Sequence, residues 1–116
     1  MFPDEIRIYC LKKPGTSESF PFDEVSPVYK VVDKIFCIVS LEPPLSVNLK
    51  CDPERAVDLR EHYSAITPGW HMNKTHWNTV YLQQGMPDSL VRELIDHSYD
   101  LIVSKLKKSD RERLKK

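Results

Sequence analysis

The sequence predicts one α+β domain, a two-layer fold in which an antiparallel sheet carries its helices on one face. Three observations predict it. From Leu45 to Cys51 the chain alternates, with Leu45, Val47, Leu49 and Cys51 on one side and Ser46, Asn48 and Lys50 on the other. That pattern describes a strand with one packed face and one at least partly wet, whereas a parallel sheet covered on both sides reads as continuous apolar runs. At about 100° per residue, Leu90, Val91, Leu94, Ile95, Leu101, Ile102 and Leu106 share one side of a long helix. Between these stretches, β-branched segments alternate with helix-start signals in the order helix, three strands, helix, one or two strands, helix.

The first helix is expected to begin at Pro3, with Asp4 and Glu5 at its positive end, and to stop where Lys12-Lys13 meets Pro14-Gly15. Residues 16–27 are turn-rich and read as a loop that Phe20 and Phe22 fold onto the core. Val28 to Val32 and Ile35 to Ser40 form a hairpin about Asp33-Lys34, and the alternating strand follows Pro43-Pro44. Asp52 is placed to cap a second helix with Pro53 at its first position, running to about Tyr63 with Ala56, Leu59 and Tyr63 on one side. After the Thr67-Pro68-Gly69 turn comes a polar and aromatic segment, then a strand from Trp77 to Leu82, a stop at Gly85, and the long helix from Pro87 to about Lys108. Ser98 falls in the middle of that helix's apolar side, where a small residue permits close contact with the sheet.

Composition bounds the function. The chain has 116 residues, enough for one domain with a real core, and is 41% hydrophobic and 29% charged, as globular domains are. No run approaches the ~20 apolar residues of a membrane span, and no signal peptide is recognisable, so a cytoplasmic protein is expected. Cys10, Cys37 and Cys51 contain no CxxC and read as free, buried thiols. Net charge is zero, but residues 105–116 carry +5 and residues 1–104 carry −5. The expected layout is therefore a single domain over 1–108 and a basic tail over 109–116, a charge run that reads first as a solvated helix end.

The stretches Pro14-Gly15-Thr16, Phe20-Pro21-Phe22, Val28 to Phe36, Leu49 to Glu54, Pro68 to Trp77 and Ser98 to Leu101 together resemble the MmcQ/YjbR family of small bacterial proteins. The resemblance covers residues 3–108, and the segment from Pro68 to Trp77 (PGWHMNKTHW) is its most specific part. It implies a helix–three strands–helix–two strands–helix order, a fifth strand just before or around Trp70, and a fold similar to type III secretion chaperones. It also implies a double-wing, DNA-binding-like label.

The best functional candidate is the segment through His71, Asn73, Lys74, His76 and Trp77, which concentrates donors, a cation and a flat ring suited to phosphate and base contacts. Lys30, Lys34 and Lys50, in or beside the sheet, extend it as a cationic surface. The plain alternative makes Trp77 a core residue, Lys74 a carboxylate partner and the histidines loop hydrogen-bonders. His71 and His76, five apart, match no metal motif, so no metal or cofactor is expected. Without GxSxG, P-loop or GxGxxG, no enzyme is expected either. Two readings remain: a DNA-binding module, and a protein-interaction or chaperone-like domain acting through its sheet face or as a homodimer.

Overall fold

A computed structural model describes residues 1–69 and 73–114. The fold is α+β, as expected: six antiparallel strands with helices against one face. The elements are α1 (Pro3–Leu11), β1 (Thr16–Ser19), β2 (Val28–Val31), β3 (Lys34–Ser40), β4 (Ser46–Lys50), α2 (Pro53–His62), β5 (Ile66–Pro68), β6 (Trp77–Tyr81), α3 (Asp88–Ser104) and α4 (Lys108–Leu114). Across the sheet the strands run β1-β2-β3-β4-β6-β5.

The order differs from expectation at two places. Thr16–Ser19 is an edge strand rather than part of a loop, so four strands precede α2. Its sequence, TSES, has no apolar alternation because it is held by the ladder and by polar contacts: Glu18 Oε2 accepts from Tyr29 Oη at 2.9 Å and from Arg7 Nε at 3.1 Å. Residues 108–114, most of them within the expected tail, form a short helix whose half-buried Leu114 packs against the core cluster. A Cβ at Gly15 (φ +71°) would lie 2.2 Å from Leu114 Cδ2, so glycine there serves both the turn and this contact. The strand expected near Trp70 is β5, just before it.

Helix starts follow the capping signals. Asp52 accepts from Arg55 N at 3.2 Å ahead of Pro53, and Glu5 reaches back to Phe2 N at 2.9 Å. The β2–β3 turn places Val32 and Asp33 both at positive φ, 45° and 65°, as a two-residue hairpin of primed type requires. A bulge where β3 crosses Tyr29/Lys30 turns both Phe36 and Cys37 towards the helices. There they join Tyr29, Val39, Val47, Leu49 and Val80 beneath Ile6, Ala56, Val91, Leu94 and Ile95. Tyr99 of α3 meets Phe36 edge-on, with centroids 5.4 Å apart.

Ser98 does more than leave room. Its Oγ donates to Phe36 O at 2.6 Å and accepts from Lys50 N at 2.9 Å. Phe36, the bulged residue against β2, and Lys50 follow Cys37 and Leu49 as the next opposed pair of β3 and β4, so a helix hydroxyl bridges these two strands just past the end of their ladder.

Three expectations about burial are corrected. Phe20 and Phe22 are 47% and 60% exposed. Their loop is shaped instead by the Asp23 carboxylate, which accepts from Val25 N, Ser26 N and Ser26 Oγ and leaves the rings outside. Tyr63 caps α2 in extended conformation and is also exposed, because the helix ends before that side returns to the core. On the sheet face opposite the helices Ser46, Asn48 and Thr79 are more deeply buried than the alternation implies, although the face is partly open at Lys30 and Lys50. Thr79 Oγ1 donates to Asn48 Oδ1 at 2.7 Å, so these two side chains satisfy one another there. Among the described residues no helix is long and apolar enough to cross a membrane.

Candidate functional site

Strand register assigns the expected site residues to separate places. Lys30 lies opposite Ile35, and Lys50 opposite Trp77, on the face away from the helices and towards the β2–β3 hairpin end. Lys34 stands at the hairpin itself, exposed and opposite Val31. These three lysines therefore share one end of the sheet. Lys74 lies in the loop that leads into Trp77, the residue opposite Lys50. It flanks β5, lining a cavity of ≈ 330 Å³ with Thr67, Pro68 and Tyr81. Four strand spacings, about 19 Å, separate the β2 of Lys30 from β5, and two, about 10 Å, separate the β4 of Lys50 from it.

The rest of the polar segment has local work. Asn73 Oδ1 accepts from Thr75 N at 2.8 Å, and Lys74 O accepts from Arg60 Nη2 at 3.3 Å. His76 O accepts from Cys51 N at 2.8 Å, tying the end of β4 to the start of β6. Trp77 is only 7% exposed, which leaves little ring for a base to stack on and fits its alternative reading as a core residue. Gly69 sits against it: a Cβ there would fall 2.8 Å from Trp77 Cβ. His71 lies outside the described residues, as do Lys115 and Lys116.

The hairpin end gains a residue that the sequence did not single out. Lys50's pKa is held below its ordinary value by burial and then by the ammonium of Lys105, at the C-cap of α3. Lys105 is thus near enough to Lys50 for the two charges to repel. Among the described residues, none of Lys30, Lys34, Lys50 and Lys105 is in an ion pair. Lys107, Lys108 and Arg111 follow directly. The signal for Lys105 lay in the charge run; its meeting with Lys50 depends on how α3 crosses the sheet.

A second concavity opens at the other end of the same face. A cavity of ≈ 290 Å³ is lined by Ser40, Glu42, Ser46, Asn48, Thr79 and Tyr81, with Pro43 and Pro44 at its rim. Sequence reading missed it because its residues come from three strands and a loop.

The three thiols are free and buried. A hydrogen bond with Cys10 and then burial raise the Cys37 pKa, and burial raises that of Cys51, so neither favours the reactive thiolate. No group of three or more His, Cys, Asp and Glu arranged to hold a metal occurs among the described residues.

The family model described as YjbR matches residues 11–101. The uncharacterised protein YjbR of Escherichia coli K12 is 40% identical over 111 residues, covering 95% of this chain and 94% of its own length. The uncharacterised protein YbdF of Escherichia coli O157:H7 is 37% identical over 107 residues, with 91% and 88% covered. Among solved structures, protein DR2400 of Deinococcus radiodurans superposes with a TM-score of 0.88 at 39% identity, over 97% of this chain and 86% of that one. A Pseudomonas syringae protein superposes with a TM-score of 0.76 at 27% identity, over 87% and 98%.

Proposed function

The chain belongs to the YjbR family, and from that premise we propose that it is a cytoplasmic, non-enzymatic binding module whose partner is DNA, gripped by phosphate contacts at the hairpin end of the sheet. The observation that carries this reading is that register brings Lys30, Lys34 and Lys50 to one end of the sheet, with Lys105 near Lys50 and none of the four in an ion pair among the described residues. Two neighbouring ammonium groups repel, and a phosphate between them turns that repulsion into attraction at both. Lys30 and Lys34 widen the surface at the same end. Local clustering thereby offsets the net charge of −5 on residues 1–104.

The test is a titration of short duplex DNA at two salt concentrations. Each lysine that neutralises a phosphate contributes about 0.9 to the slope of log affinity against log salt. Lys50→Ala and Lys105→Ala are each expected to flatten the slope by about that amount and to weaken all sequences alike. A flattening by Lys74→Ala instead moves the contact to the β5 side. If binding is lost only when Arg111, Arg113, Lys115 and Lys116 become glutamine, the attraction belongs to the terminal charge run. Absence of binding at ~50 mM salt, where screening is weak, overturns the DNA reading.

One observation favours a protein-interaction reading instead. Phe20, Phe22 and Val25 are exposed directly after the edge strand β1, whose outer side has no neighbour in the sheet. An apolar segment beside an open edge suits strand addition by a partner or by a second copy. Concentration-dependent sedimentation of the wild type, abolished by Phe20→Ser with Phe22→Ser, is the outcome that supports this reading over the first.

A further inference from the structure

The cavity of ≈ 290 Å³ at the other end of the sheet is chemically unlike the cationic end. Register builds it. Ser40, Ser46 and Tyr81 stand in one row across β3, β4 and β6, and Asn48 and Thr79 stand in the next row on the same face. Strands about 4.8 Å apart bring these five side chains to one volume. All five end in or carry a hydroxyl or amide. Thr79's hydroxyl, already donating to Asn48 Oδ1, fixes the amide's orientation, and no described residue accepts from Asn48 Nδ2. The amide is therefore poised as a donor towards the cavity.

Charge narrows the ligand class. Among the described residues Glu42 is the one charged group in the lining, and no lysine or arginine contributes to it. Among the described residues Glu42 has no ion-pair partner. A carboxylate over a floor of hydroxyls and an amide rejects anions and matches a cation that also hydrogen-bonds. The volume lies at the small end of ligand pockets, which start at about 300 Å³, so the guest is a few heavy atoms to a single sugar ring. Pro43 and Pro44 have restricted φ, so the rim loses little freedom when a guest enters. We propose that this cavity binds a small hydroxylated ammonium compound, its ammonium group on Glu42 and its hydroxyls on Ser40, Ser46, Asn48 and Tyr81. This site stands apart from the DNA reading, and neither depends on the other.

Three probes of matched size separate the possibilities: 2-amino-1,3-propanediol, its neutral counterpart glycerol, and the anion glycerate. Each is titrated into the isotope-labelled full chain in an amine-free buffer, with amide chemical shifts as the readout. The aminodiol is expected to shift Asn48, Thr79 and Tyr81 saturably and to bind about tenfold more tightly than glycerol, the difference one charge-assisted hydrogen bond supplies. Glycerate is expected to leave those residues unmoved. Glu42 is exposed on a loop, so Glu42→Gln keeps the wild-type unfolding midpoint and is expected to bring the aminodiol down to glycerol's affinity. Equal affinities for aminodiol and glycerol, shifts with glycerate, no shifts with the aminodiol, or an unchanged aminodiol affinity in Glu42→Gln each overturn the proposal.

Discussion

The ammonium of Lys13 is ion-paired with the carboxylate of Asp96, 83 residues further along the chain. Lys13 lies just past the end of α1 and Asp96 in the middle of α3, so the pair clamps the first helix to the longest one. Tyr9 Oη donates to the same carboxylate oxygen at 2.7 Å, and its pKa is pushed up to about 12, by burial first and then by that hydrogen bond. The Lys13 ammonium stands 5.0 Å and 5.1 Å from the ring centroids of Tyr9 and Tyr99. Two cation–π contacts add to an ion pair whose Asp96 partner is partly in water and therefore screened. Lys13→Met is accordingly expected to cost about 1–2 kcal/mol. A urea midpoint equal to wild type refutes the clamp.

Ser98→Ala removes a hydroxyl that serves Phe36 O and Lys50 N together. Both backbone groups are then left without their partner between the strands, and the expected cost is about 2–4 kcal/mol, far above that of an ordinary serine deletion. Chemical denaturation measures it. Amide exchange at Lys50 is expected to quicken in the variant, and unchanged exchange there contradicts the bridge.

His97 gives the fold a pH dependence with a definite sign. Its Nε2 accepts from Asp52 N at 3.1 Å at the start of α2, which requires the neutral ring. Burial and then Arg55 hold its pKa below 6.5, against the opposing pull of Asp52, Asp100 and Glu93. A depressed folded pKa means the contribution is fully present above pH 6.5 and is lost as pH falls through the folded value. His97→Gln is expected to flatten stability against pH over that window. A wild-type curve that rises on acidification there contradicts the assignment.

Helix α3 separates core from margin. Leu94 is buried in the central cluster, whereas Ile102 is half-exposed and packs against that cluster from outside. Leu94→Ala is expected to cost about 2–5 kcal/mol and Ile102→Ala about 1 kcal/mol. Equal losses at the two positions contradict the way α3 lies on the sheet.

Thiol labelling checks the interior directly. Cys10, Cys37 and Cys51 are all buried, so the native chain is expected to react slowly with a thiol reagent and the unfolded chain at all three sites. Rapid native labelling of any one contradicts its placement.

What the sequence made legible was periodic or locally capped. The stripe on α3, the alternation in β4 and the Asp52-Pro53 start each carry their own signal, because an amphipathic surface and a helix end are decided within a few residues. Strand β1 was illegible for the opposite reason: an edge strand of Thr, Ser and Glu forms because β2 offers a ladder and Tyr29 and Arg7 meet Glu18. The candidate sites follow the same division. Lys30, Lys34 and Lys50 were visible as cations near strands, but that they share one end of the sheet depends on strand register. The meeting of Lys50 with Lys105, and of Glu42 with Asn48 and Thr79, joins residues from distant parts of the chain that no spacing rule connects.

The strand order has a consequence for how the chain acquires its shape. Strand β6 lies between β4 and β5, although β5 precedes it in sequence. On a ribosome the first four strands can zip up in sequence as a meander, yet the outer side of β4 waits for residues 77–81 to emerge. At about 5–20 residues per second, the 27 residues from Lys50 to Trp77 leave that edge open for roughly 1–5 s. Strand β5 is no help in the interval, since its neighbour among the described residues is β6 alone. The nascent chain thus exposes the interior strand SVNLK as a temporary edge, and WNTVY closes that edge with one side while pairing with β5 on its other.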